Sequence, residues 1–127
     1  MIPDRIRAAA CVLPGILMLA SACERQSPDG ARSGRWDAGA GRDAIEKFGC
    51  NTCHVIPGVS GPRGLVGPPL TAWSRRVYIA GEFPNEPATL VRWIIDPPEL
   101  VPGTAMPAIG VGETDARNIA AYLYTLE

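Results

Sequence analysis

The stretch FGCNTCHV, Phe48 to Val55, holds two of the four cysteines of this 127-residue chain and its single histidine. What those two thiols and one imidazole do together decides how the rest is read. A structural zinc site needs four ligands, usually Cys and His; only three stand here, and no second histidine or neighbouring Cys pair completes the set. A thioredoxin-like redox pair calls for a βαβ context, with the motif opening a helix after a strand. Upstream, however, AGRDAIEKF (Ala40 to Phe48) reads as helix and no alternating strand precedes it. A disulfide between Cys50 and Cys53 would close a loop too small to stabilise much.

The reading that uses all three side chains is covalent haem attachment, for which Cys-x-x-Cys-His is the signature. Two thiols three residues apart on a helical turn can reach the two vinyl groups on one porphyrin edge. The following residue then offers its imidazole to the iron. Cys50 and Cys53 are therefore the candidate anchors of one haem c, and His54 the candidate axial ligand.

The N-terminus reads as an export address. Arg5 and Arg7 precede an apolar run, AAACVLPGILMLA, of signal-peptide length, short of the roughly 20 apolar residues that span a bilayer. Ala20-Ser21-Ala22 meets the small-x-small cleavage rule, and Cys23 follows directly, as in a bacterial lipoprotein signal. Removal of residues 1–22 takes away Cys11 and leaves Cys23, Cys50 and Cys53. If the last two act together, Cys23 is the odd thiol in an oxidising compartment, and a thioether to lipid accounts for it. Simple secretion is the second choice. Residues 24–35, ERQSPDGARSGR, are polar and read as a tether. The expected organisation is a signal segment over 1–22, a tether over 23–35 with Cys23 lipidated, and one folded domain over 36–127. The product would sit on the periplasmic side of a bacterial membrane.

The second axial ligand follows from what is left. Electron-transfer haems pair His with Met or with a second His. Met1 and Met18 depart with the signal, so Met106 is the only methionine of the mature chain and His54 its only histidine. Met106 lies in PGTAMPAIGV, a Pro/Gly loop poorly suited to a gap-filling core methionine.

With these motifs in place the chain resembles the monohaem class I c-type cytochromes. FGCNTCHV matches the attachment site, VGPPL (Val66 to Leu70) the Gly-Pro loop on the His side, and GTAMP the Met loop. The middle stretch YIAGEFPNEPATLVRWIIDPPELVPGTAMP is similar to the cytochrome c domain of haem-copper oxidase subunit II. The resemblance implies an all-α fold of three to four helices with long Gly/Pro loops around one haem. It also implies that the Pro68 carbonyl accepts the His54 Nδ1–H, and that Arg75 (or its neighbour Arg76) and Trp93 meet a haem propionate.

Residue patterning agrees with that fold. Ala116, Ile119, Ala120, Leu123 and Leu126 fall on one helical face, with Glu113 and Asp115 at its positive end and Gly112 as N-cap. GRDAIEKF gives a short first helix. In the family the two cross closely, and Gly41 supplies the small residue; Ile45 stands where an aromatic is common, so aliphatic packing would replace a ring contact with Tyr122. A middle helix opens near Glu86-Pro87 and runs to about Asp96, where PPEL stops it. No segment reads as a strand. With 14 Gly and 13 Pro in a short chain, the porphyrin would supply apolar core that the protein lacks, and the haem-free form is expected to be largely disordered.

These readings converge on electron transfer in a respiratory chain, to or within a terminal oxidase. Two filled axial positions leave no substrate site, so an electron carrier is expected rather than an enzyme. A ligand-binding or sensor module with displaceable Met106, and an electron-transfer subunit of a periplasmic dehydrogenase, are the alternatives. Lys47 is the only lysine, which speaks against a nucleic-acid surface. Loss of Asp4, Arg5 and Arg7 leaves 10 basic and 12 acidic side chains, so long-range steering of a redox partner should be weak. The apolar loops VIPGVSGP and AMPAIGV are the expected docking patch of a monomer.

Overall fold

The computed structural model describes residues 36–62 and 64–127. The signal segment, Cys23 and the tether lie outside the described residues. Helix α1 spans Ala38–Lys47 and begins earlier than GRDAIEKF indicated. Asp37 is its N-cap, accepting from the Ala40 N–H at 3.0 Å, which satisfies one of the free donors of the first turn and holds the weak former Gly39 in helix. Asp37 N–H in turn donates to Asn118 Oδ1 at 2.9 Å, joining the start of α1 to helix α4, Glu113–Leu123.

These two helices pack most extensively against each other. Gly41 is buried at the crossing, where a Cβ would overlap the Asn118 backbone carbonyl. Ala44 and Ile45 from α1, with Ala116, Ile119, Ala120 and Leu123 from α4, are their share of the buried cluster. Tyr122 sends its hydroxyl to the Pro57 carbonyl at 2.7 Å, and Arg42 Nε donates to the Gly58 carbonyl at 2.7 Å. The loop after His54 is thus pinned from both helices.

Helix α2, Pro87–Ile95, starts with Pro at its first position and buries Leu90, Val91, Trp93 and Ile94. PPEL does end α2, but it is itself a helical turn, α3, Pro97–Leu100. Proline tolerates first-turn positions because its missing N–H has no partner there. Asp96 caps the turn by accepting from the Glu99 N–H at 3.2 Å.

The sequence reading found no strand, and here the structure corrects it. β1, Tyr78–Ile79, pairs antiparallel with β2, Phe83–Pro84. The Glu82 N–H donates to the Ile79 carbonyl at 3.0 Å, and both turn residues, Ala80 (φ 52°) and Gly81 (φ 78°), are left-handed. Two-residue strands carry no readable alternation, and Ala is an unusual choice for such a turn, where Asn or Gly is preferred. The fold remains helix-dominated, with the chain between α1 and α2 and between α3 and α4 running mostly as loop.

Asn85 knits this region to the C-terminus. Its amide donates to the carbonyls of Trp73 (3.1 Å) and Arg76 (3.0 Å) while its Oδ1 accepts from Tyr124 at 2.9 Å. Burial, and secondarily the charge of Glu86, push the Tyr124 phenol above its ordinary value and keep it a donor.

Candidate haem site

Phe48 ends α1, and Gly49, left-handed at φ 69°, turns the chain into a 3-10 turn over Cys50–Thr52. The N–H groups of Cys53 and His54 both donate to the Cys50 carbonyl, at 3.2 and 3.0 Å. That single turn brings two free thiols and the imidazole to one wall. Burial is the main cause pushing the Cys50 thiol above its ordinary value; a backbone hydrogen bond opposes it and Cys53 adds to it.

The wall belongs to a cavity of about 530 Å³, predominantly apolar, that also takes in Met106 from the far loop. Ile45, Ile119 and Leu123 reach it from the α1–α4 corner, and Leu90, Trp93 and Ile94 from α2. Cys50, Cys53, His54 and Met106, separated by up to 56 positions in sequence, therefore share one chamber. Among the described residues no cluster of three His, Cys, Asp or Glu could hold a metal ion.

His54 is held from behind. Its Nδ1 lies 2.7 Å from the Pro68 carbonyl, which can only accept, so Nδ1 carries a proton and Nε2 is the ring nitrogen free to act as a ligand. Two backbone bonds register the His loop beneath the motif: Gly67 N–H to the Cys53 carbonyl and Leu70 N–H to the Val55 carbonyl, each 2.8 Å. Gly67 must stay a glycine. A Cβ there would sit 2.5 Å from His54 Nδ1 and 2.9 Å from Nε2.

The remaining named residues divide. Trp93 is buried and lines the cavity; Arg75 is exposed and does not, whereas Arg76 does. The sequence reading passed over Trp73. This indole is buried in the cavity wall, and its Nε1–H is fully enclosed without an acceptor among the described residues. The Arg76 guanidinium stacks 5.1 Å over the Trp73 ring and donates to the Pro69 carbonyl. An enclosed unpaired N–H costs on the order of 1–3 kcal/mol, so Trp73 marks where a bound group should present an acceptor. Its signal in the sequence was slight: an indole three residues before Arg76, in the loop that follows Leu70.

The chamber thus offers two thiols, an imidazole, a thioether, apolar walls, and a buried N–H beside a guanidinium. That donor set suits haem c, whose rim is apolar apart from two carboxylates.

No family model matches the chain. It is 35% identical over 91 residues to cytochrome c oxidase subunit 2 of Alkalihalophilus pseudofirmus, a match that takes in 71% of this chain and 26% of that protein. The chain therefore spans about a quarter of that relative's length. Cytochrome cH from Methylobacterium extorquens, a solved structure, matches with a TM-score of 0.51 at 28% identity, covering 70% of this chain and 98% of that one. In sequence and in architecture the chain resembles the class I c-type cytochromes, and its described residues adopt the small cytochrome c fold.

Proposed function

We propose that the chain binds one haem c through thioethers from Cys50 and Cys53, with His54 and Met106 as axial ligands, and works as an electron carrier. The observation that carries this reading is the convergence of all four side chains on one cavity, with the His54 ring already fixed by Pro68. When bound, haem iron supplies one-electron exchange between Fe(III) and Fe(II). The protein's own residues do the rest. Pro68 sets the tautomer and raises the basicity of His54. Met106, as a soft sulfur donor, favours the reduced state and so a higher potential than a second His would give. Trp73, with its enclosed unpaired N–H, and Arg76, the alternative to Arg75, both line the cavity and join Trp93 as candidate donors to a propionate, whereas Arg75 does not line it. The apolar lining from α2 and α4 would exclude water from a bound haem.

The setting in this reading is the periplasmic face of a membrane, with Cys23 lipidated and electrons passing to or within a terminal oxidase. The lipoprotein-like segment LASAC and the similarity to an oxidase subunit support it. No described helix is long and apolar enough to cross a membrane.

Ligation is tested by Met106→Ala in full-length protein matured in a host that attaches haem c. The variant should keep its haem, bind CO readily when reduced, and show a lower midpoint potential than wild type. Wild type should resist CO at neutral pH. A variant indistinguishable from wild type in potential and CO binding would remove Met106 from the iron.

A further inference from the structure

The 3-10 turn Trp73–Arg75 has two faces. Side chains three apart in such a turn lie one above the other. Here that pair is Trp73 and the C-cap Arg76, both on the cavity wall, with the guanidinium stacked on the indole. The hydrogen bonds lie behind. Asn85 donates its side-chain amide to the carbonyls of Trp73 and Arg76, at 3.1 and 3.0 Å, so one side chain grips both ends of the turn. Its Oδ1 accepts from the Tyr124 hydroxyl at 2.9 Å, and its backbone N–H donates to the Val77 carbonyl at 2.9 Å. Ser74 donates its N–H and its hydroxyl to the Leu126 carbonyl, at 3.0 and 2.9 Å. None of Ser74, Asn85, Tyr124 and Leu126 lines the cavity.

The turn needs that grip. Ala72, which leads into it, is left-handed at φ 51°, a conformation that an L-residue keeps only where its surroundings fix it. Freed from behind, the segment would relax and the indole would lose its aim. Trp73 is 5% exposed and its Nε1–H is enclosed and unpaired among the described residues; a donor buried at such cost is useful only while it is held towards an acceptor. A tie that merely joined the hairpin to the C-terminus could use any carbonyls. Both side-chain amide bonds of Asn85 go instead to the two residues that carry donors into the cavity wall.

Resting on the electron-carrier reading, we propose that Asn85, braced by Tyr124, is a positioning residue: it holds the Trp73 N–H and the Arg76 guanidinium in place to donate to a carboxylate of bound haem. Donation offsets negative charge near the iron, which favours Fe(II), so the grip raises the midpoint potential. The C-terminal segment from Tyr124 to Leu126 thereby acts on the redox centre through one amide side chain, without touching the cavity.

The test uses full-length holo-protein and reads two quantities. One is exchange of the Trp73 indole N–H with deuterium in the reduced form, its nuclear magnetic resonance signal assigned by its loss in Trp73→Phe; the other is the midpoint potential. Asn85→Leu removes both donors at similar volume. It should keep its haem, exchange the indole hydrogen about tenfold faster, and show a lower potential than wild type. Tyr124→Phe should move both readouts the same way, by less. Val91→Ala, a change in buried core away from the cavity, should lower stability and leave the potential unchanged. Wild-type exchange and potential in Asn85→Leu would overturn the positioning role with the electron-carrier reading intact. So would an equal fall in potential in Val91→Ala. Should Asn85→Leu fail to fold, Tyr124→Phe decides alone, and wild-type values in both readouts would overturn the role. A wild-type product without haem absorption would instead overturn the electron-carrier reading itself.

Discussion

Helices α1 and α4 meet so closely at Gly41 that no side chain fits between them, and they close over Ala44, Ala116 and Ala120 with no buried side-chain N or O left unpaired among their described residues. The loops from Gly49 to Gly81 and from Val101 to Val111 are built differently. They enclose an unpaired Trp73 N–H, hold Ala72 and Ala80 in left-handed backbone, and surround a chamber of about 530 Å³. The corner is complete in protein alone; the loops are complete only with something in the chamber. On the haem reading, a chain this short and this rich in Gly and Pro divides the work, with a small helix–helix contact as scaffold and a bound haem as the rest of the core.

The largest effect should come from withholding haem. Protein produced without haem attachment is expected to lose most of its helical circular-dichroism signal. Any amide protection that survives hydrogen exchange should be confined to α1 and α4. Native-like helix content, or protection throughout 49–81, would erase the contrast between the two regions.

The corner itself is attacked by Gly41→Val. The added side chain would have to push the Asn118 backbone away, and overpacking against backbone costs about 3 kcal/mol or more. Denaturant unfolding of the holo-protein measures this, and a midpoint within error of wild type would mean that the helices do not meet there.

Gly67→Ala attacks the loop half. Its methyl crowds the His54 ring, so a loss of about 2 kcal/mol should be accompanied by a shifted Soret band and altered potential. A purely structural role for Gly67 would give the first without the second.

The smallest change should be a gain. Ala80 sits at φ 52°, a conformation that costs an L-residue roughly 1–2 kcal/mol, so Ala80→Gly should stabilise by about 0.5 kcal/mol after glycine's greater unfolded freedom is counted. Thermal unfolding of the holo-protein resolves the sign.

How much of this was legible beforehand follows the same division. The face of α4 showed in the spacing of Ala116, Ile119, Ala120 and Leu123, and α2 in its Pro start, because helix signals are local. The start of α1 was hidden, since Gly39 is a weak helix former and Ala38-Gly39-Ala40 carries no apolar periodicity until Asp37 is recognised as its cap. The hairpin was hidden too, as two-residue strands have no period and Ala80 gives no hint of its left-handed backbone. Cys50, Cys53, His54 and Met106 could be named because one motif and a simple count of residue types singled them out. Adding Trp73 beside Trp93, and preferring Arg76 to Arg75, depends on which N–H ends up enclosed and which guanidinium lies on the cavity wall, and only tertiary structure sets those.

The central claim is that the two thiols of the Cys50–Cys53 turn hold a haem permanently in this chamber. It is tested most directly by acid–acetone extraction of the full-length protein purified from a host with working cytochrome maturation. The account predicts that the colour stays with the precipitated polypeptide. Haem passing into the solvent, or a preparation colourless from the outset, would contradict it.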